Sequence, residues 1–220
     1  MASWMVHLRI ADKLMDKIEN LDVNAFILGN LAPDSGVPNE DWTVFTPPTN
    51  VSHFKTNVDG KSKIAMELFT KDYFTKEQIE RYTKREYSFF LGYYFHLLTD
   101  IVWSDMVKAG GMTRENAEKE NMSYNDFVNK NKDDWYDLDF LYLEEHPDFR
   151  GFRLYENMTE VENDFMEIFP GDAFKNRCEY ICGFYHSDEH GDLHREYRYL
   201  TKERVERFVE ETAEWILNEQ

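Results

Sequence analysis

Apolar residues recur along this chain mostly three and four positions apart, and no apolar–polar alternation runs longer than four or five residues. Such spacing places side chains on one face of a helix, whereas alternation would have indicated strands. Leu8, Ile10, Leu14 and Ile18 mark the apolar side of a first helix, from about Val6 to Asn20. A second runs from Val23 to Leu31 and stops at Pro33, because proline removes a backbone donor and clashes with the preceding turn. Residues 32–54, "APDSGVPNEDWTVFTPPTNVSHF", have no helical period. A loop of that length inside a compact domain usually carries function. Trp42 and Phe45 gain by burial, so the loop is expected to be ordered and folded onto the body.

Beyond it, Lys61 to Phe69 reads as helical, and Thr75 with Gln78 in "TKEQ" forms a capping box. That box opens a long helix from Lys76 past Trp103, ended by Gly110 and Gly111. Shorter helices follow around "SYNDFVNKN" and "WYDLDFLYLEE". A second box, Thr159 to Glu162, opens a segment reaching Phe169. Asn176 to Tyr185 and the amphipathic "TKERVERFVEETAEWILNE" complete the pattern. With no repeat and no evident linker, residues 1–220 read as one all-α domain.

The long helix holds the most apolar run of the chain, "SFFLGYYFHLLTDIVW" (88–103), and yet His96 and Asp100 stand within it. A buried carboxylate must be compensated or it neutralises. Four residues apart, the two side chains leave one helix face, as two ligands of one metal do. The same spacing also suits a His–Asp pair that satisfies itself, and the pair alone leaves both readings open. His7, Asp34 and His53, taken singly, read as a helix-edge histidine, a turn aspartate after proline and a loop histidine.

Composition narrows the partners. The 220 residues carry 25 Lys and Arg against 43 Asp and Glu, a net charge of −18, which disfavours stable nucleic-acid binding and docking on anionic membranes. A small phosphorylated substrate held through a metal stays compatible, since the metal brings its own positive charge. "MASWMVHLRIADKLMDK" lacks the features of a signal peptide, and no stretch makes an integral membrane segment, so the chain reads as cytoplasmic. Cys178 and Cys182 in "CEYIC" are one helical turn apart and read as reduced helix residues. His186, His190 and His194 read as part of a solvated turn. Signatures of a serine nucleophile elbow, a P-loop or a dinucleotide fold are missing.

The order of His7, "GNLAPD" ending in Asp34, "SHF" with His53 and "HLLTD" with His96 and Asp100 resembles the zinc-dependent phospholipase C family, most clearly over residues 1 to about 106. The resemblance implies a multi-helix bundle of the phospholipase C/P1 nuclease type with a metal cluster between its helices. It implies that Asp34, His53, His96 and Asp100 hold one Zn²⁺, and that Asp100 bridges to a second that also takes His7. Asp34 would double as the general base for the attacking water. Lys55 is a candidate for pairing with a substrate phosphate, and Trp42 and Phe45 for an apolar wall.

Three departures from the family stand out. Secreted relatives begin at a processed residue that helps bind metal; here only removal of Met1 before the small Ala2 would offer a comparable end. A histidine usually follows the bridging aspartate, where this chain offers Asp105. A later HxxxE is replaced by Asp133 and Asp137. A third site of Asp105, Asp133 and Asp137 would suit Mg²⁺, Mn²⁺ or Ca²⁺; otherwise these are helix-cap and surface groups. The expectation is a metal-dependent hydrolase that acts on a small phosphoester through a water activated at a di- or trinuclear site. The alternative is a non-catalytic helical metal-binding or regulatory protein that retains the same ligands.

Overall fold

The computed structural model describes residues 1–218. Its first helix, α1 (Trp4–Met15), is capped by Ser3, whose Oγ accepts from the Val6 N–H. α2 (Val23–Leu31) is capped in the same way by Asp22 and leads into a 3-10 turn, Ala32–Asp34, with Pro33 in its first turn. Strands β1 (Val37–Pro38) and β2 (Phe45–Thr46) pair antiparallel, followed by α3 (Thr49–Ser52). A second antiparallel hairpin joins β3 (Lys55–Val58) to β4 (Lys61–Ile64). The rest is helical: α4 (Met66–Tyr73), α5 (Lys76–Ile79), α6 (Lys84–Ala109), α7 (Arg114–Lys119), α8 (Tyr124–Glu145), α9 (Arg150–Glu156), α10 (Ala173–Tyr185) and α11 (Lys202–Asn218). The architecture is an all-α bundle with two very small hairpins.

Several boundaries differ from the sequence reading, each for a local reason. The expected helix from Lys61 to Phe69 is strand β4 and then α4. Asp59 and Gly60 sit at φ 52° and 73°, the conformation of a two-residue hairpin turn, and so fold Lys61–Ile64 back onto β3. The Thr75–Gln78 box forms as expected but caps only α5. A second box, Thr83 with Glu86, starts α6 afresh. The two helices expected between Ser123 and Glu145 are one, α8. Thr159 to Phe169 is not helical: Asn163 organises it instead, donating to the Met166 and Phe169 carbonyls at 2.7 and 2.8 Å and accepting from the Phe165 and Met166 amides. A short polar side chain competing for local backbone groups in this way favours turns over helix. Trp42 is 49% exposed, and rests on Tyr180 without burial in the body, while Phe45 is half-buried.

α6 is the central helix, apolar on nearly all sides, with Phe89, Tyr93, Phe95, Leu97 and Trp103 buried among the other helices. α2 lies against it, backbone to backbone. A Cβ at Gly29 would stand 2.0 Å from the Phe89 carbonyl oxygen, and one at Gly92 2.2 Å from that of Phe26, so neither position admits a side chain. α1 packs on α2, α9 and α11. Buried apolar side chains from Ala2 to Ile216 form one cluster, and the polar residues of interest lie inside it. Cys178 and Cys182 carry free thiols, and the histidines of the 186–194 turn are exposed.

Candidate metal centre

Three elements converge on α6. His7 comes from the middle of α1, Asp34 from the end of the 3-10 turn, His53 from the residue after α3, and His96 and Asp100 from successive turns of α6. His7, His53, His96 and Asp100 are all at most 2% exposed. His53 Nε2 lies 3.3 Å from Asp34 Oδ1, 3.3 Å from His96 Nε2 and 3.6 Å from Asp100 Oδ2. His96 Nε2 is 3.8 Å from that same Asp100 oxygen. Ligands about 2.0–2.1 Å from a tetrahedral zinc are separated from one another by about 3.3–3.4 Å. The observed spacings therefore approximate the edges of such a tetrahedron. On the other side, His7 Nε2 lies 3.4 Å from Asp100 Oδ1, and its ring stacks on His96 with centroids 3.8 Å apart.

Proton inventory makes the case for a cation. His96 Nδ1 is 2.7 Å from the Asn30 carbonyl, which can only accept, so the ring proton is there and Nε2 presents a lone pair to the cluster. Ser52 Oγ, 3.0 Å from His53 Nδ1, orients the second imidazole. Burial, then the neighbouring His7, lowers the His96 pKa to about 3 despite the pull of Asp100 and Asp34, so this imidazole is neutral near pH 7. Burial also opposes ionisation of Asp34, but the hydrogen bond from His53 and the nearby imidazoles outweigh it and hold the carboxyl well below its usual range. Asp100 behaves alike: burial is overcome by the chain's terminal amine, His7 and His96. Both ring nitrogens of His7 and Oδ2 of Asp100 are buried without any hydrogen-bond partner. Carboxylates and lone pairs that meet in a dry site need a positive charge, and the groups His7–His96–Asp100 and Asp34–His53–His96 each have ligand atoms close enough to share an ion.

The sequence profile of the zinc-dependent phospholipase C family matches residues 6–135, more than half of the chain. The chain belongs to the zinc-dependent phospholipase C family. Neither the curated proteins nor the solved structures contain a match to it. Membership in the zinc-dependent phospholipase C family and the buried His/Asp cluster together support a metal-dependent phosphoesterase that uses zinc. Among the described residues, no helix is long and apolar enough to cross a membrane.

Among the described residues, none of the three aspartates considered for a third metal joins an ion-sized group of ligand atoms: Asp133 and Asp137 line a separate cavity, and Asp105 shares only a cavity wall with Asp100. Asp105 is exposed on α6, with Lys108 3.7 Å away. Asp133 is also exposed, on α8. Asp137 is committed elsewhere: it accepts from Arg195 at 2.8 Å and from the Gly191 amide at 2.9 Å. Trp135, two residues before it, turns inward against Trp103 and fills the space between α6 and α8 with an aromatic pair, 5.3 Å between centroids.

Two cavities flank the centre. One, of about 170 Å³, is lined by Asp34, Trp4, Phe45, Tyr136 and Arg177; the other, of about 400 Å³, by Asp100, Asp105, Lys55, Lys63 and Lys108. Phe45 and Lys55 thus fall in different cavities, and Trp42 stands outside both linings, edge-on to Phe45 with centroids 6.1 Å apart.

Some participants escaped the sequence reading. Asn30 and Ser52, which orient the imidazoles, act through a carbonyl and a hydroxyl that no motif marks. The Ala2 amide donates to Asp100 Oδ1 at 2.7 Å. Asp139 is buried behind the centre, where it accepts from Ser3 Oγ and Tyr185 OH at 2.8 and 2.7 Å. Its only signal was a carboxylate between Leu138 and Phe140.

Proposed function

We propose that the protein hydrolyses a small phosphoester at a dinuclear zinc centre, with Asp34, His53, His96 and Asp100 holding one ion and His7 with Asp100 the other. The observation that carries this reading is the convergence of two imidazoles and two carboxylates at near-tetrahedral spacing in a buried site, beside a His7 ring and an Asp100 oxygen that have no hydrogen-bond partner. Zinc there would acidify a water and stabilise negative charge on the phosphoryl oxygens. The side chains supply the rest. Asn30 and Ser52 keep both imidazoles turned inward, so no reorientation is needed when substrate arrives. Asp34 is the one ligand that also lines the smaller cavity, and its ionised carboxylate is placed to accept the proton of an attacking water. Lys55 and Lys63, in the larger cavity, would draw an anionic substrate towards a strongly acidic molecule.

Metal content measured on untagged protein, purified without added metal, tests the assignment. About two equivalents of zinc, lost in both His96→Ala and Asp100→Ala, together with hydrolysis of a chromogenic phosphoester that disappears in the same variants, is the expected outcome. Wild-type protein that stays metal-free after reconstitution would reduce the cluster to a buried polar network. Full zinc with no turnover across mono- and diesters would favour the non-catalytic metal-binding alternative.

A further inference from the structure

Resting on the zinc-centre reading, we propose that the cavity beside Asp34 is a phosphate subsite in which Arg177 grips a small phosphomonoester. Arg177 projects from α10 and is 8% exposed, yet it lines this cavity. Its guanidinium donates to the Gly36 carbonyl at 2.8 Å and lies 5.3 Å from the Tyr180 ring centre, two contacts that fix its plane. Among the described residues no carboxylate lies within ion-pairing distance of it.

Burial sets it apart: Arg81, Arg114, Arg204 and Arg207 also lack an ion pair among the described residues, but they are exposed or half-buried. Arg195 is neutralised by Asp134 and Asp137, Arg150 by Asp12 and Asp16, Arg85 by Asp164 and Arg198 by Glu120. Arg9, buried to a similar degree, shares its cleft with Glu145 and Glu206, whereas the one carboxylate lining the Arg177 cavity is Asp34, which faces His53. Taking a guanidinium out of water without an anion is costly, so a buried one facing a cavity calls for an anionic ligand.

The ligand class follows from the cavity. A guanidinium fork matches the oxygens of phosphate in pairs. A volume of about 170 Å³ is below the roughly 300–1,000 Å³ of pockets for larger ligands, which suits a phosphate with a short leaving group. Trp4, Phe45 and Tyr136 give that leaving group apolar walls. A monoester, with three non-bridging oxygens and up to two negative charges, has oxygens to offer both to Arg177 and to the Asp34 side of the cavity. A diester offers one such oxygen fewer and one charge.

Inorganic phosphate, the product common to all monoesters, is the probe. It is titrated calorimetrically into zinc-loaded wild type, Arg177→Gln and Arg177→Lys, with zinc content and melting temperature recorded for each. Losing a hydrogen-bonded charge should weaken phosphate binding about tenfold to a hundredfold in Arg177→Gln at unchanged zinc content, with Arg177→Lys in between. The loss in kcat/KM should be greater for a monoester than for a diester. Wild-type affinity in Arg177→Gln, or zinc-loaded wild type that binds no phosphate, overturns the subsite and leaves the zinc centre standing. A wild type without zinc overturns the underlying reading instead. If Arg177→Gln fails to fold, the Arg177 Nε–H resonance of ¹⁵N-labelled wild type decides: it shifts on saturation with phosphate, or the subsite is wrong.

Discussion

Replacing Asp139 by asparagine should stabilise the protein in a way that depends on pH. Asp139 is fully buried on α8, and burial raises its carboxyl from the ordinary 3.8 to about 7, outweighing the opposing hydrogen bonds from Tyr185 and Ser3 and the charge of Arg9. The folded protein thus keeps this proton up to about pH 7, while the unfolded chain releases it near 3.8. Because the native state binds more protons across that window, stability falls as pH rises from about 4 to 7 and levels off above. A shift of about three units corresponds to about 4 kcal/mol in total, and the part falling between pH 5 and 8 to about 3 kcal/mol. Asparagine stays neutral, with a carbonyl for one hydroxyl and an amide to donate to the other. The assay is urea unfolding of both proteins at pH 5 and pH 8, in chelator throughout so that pH-dependent metal binding drops out. The stability of Asp139→Asn relative to wild type should rise by about 3 kcal/mol between the two pH values. An equal difference at both, or a variant that loses ground at pH 8, would refute the argument that burial dominates at this site.

Three further outcomes are expected. Chelation of the purified protein should lower its melting temperature, since it leaves unprotonated ligands facing one another; an unchanged transition would mean no ion was there. Ser52→Ala, which frees the His53 ring, should reduce zinc affinity about tenfold to a hundredfold in competition with a chelating dye, with little change in urea midpoint. Gly92→Ala should destabilise by about 1–3 kcal/mol or more in urea melts, because its Cβ would stand 2.2 Å from the Phe26 carbonyl oxygen; a neutral result would show that α2 and α6 slide apart freely.

The sequence disclosed helices where one side of a segment carried the apolar stripe, as in α1 and α11, and it pointed to the cluster through the order of His7, Asp34, His53, His96 and Asp100, since three of them read as ordinary residues when taken singly. It failed where a few polar atoms override periodicity. Asn163 unwinds a segment with a convincing cap, and an Asp-Gly turn converts an apparent helix into a hairpin. The reading of α8 failed differently. Periodicity located the helix but not its rotation about its own axis, which sends Asp133 to solvent, Asp137 to Arg195 and Asp139 inward. Arg177 was invisible for another reason: a lone arginine on an ordinary helix becomes notable only when it is seen to be buried at a cavity wall.

The close contact between α2 and α6 has a consequence for how this protein can change over time. The Asn30 carbonyl that fixes the His96 ring follows Gly29 directly, and His96 itself is one turn beyond Gly92, so the gap between two backbones sets the length of a bond at the centre. Drift that fattens either glycine position would loosen the grip on the metal before it touched any ligand. Adaptive routes that add bulk to tighten the core are therefore closed here. Selection on chemistry and selection on packing act on the same two residues, and neither can be tuned without moving the other.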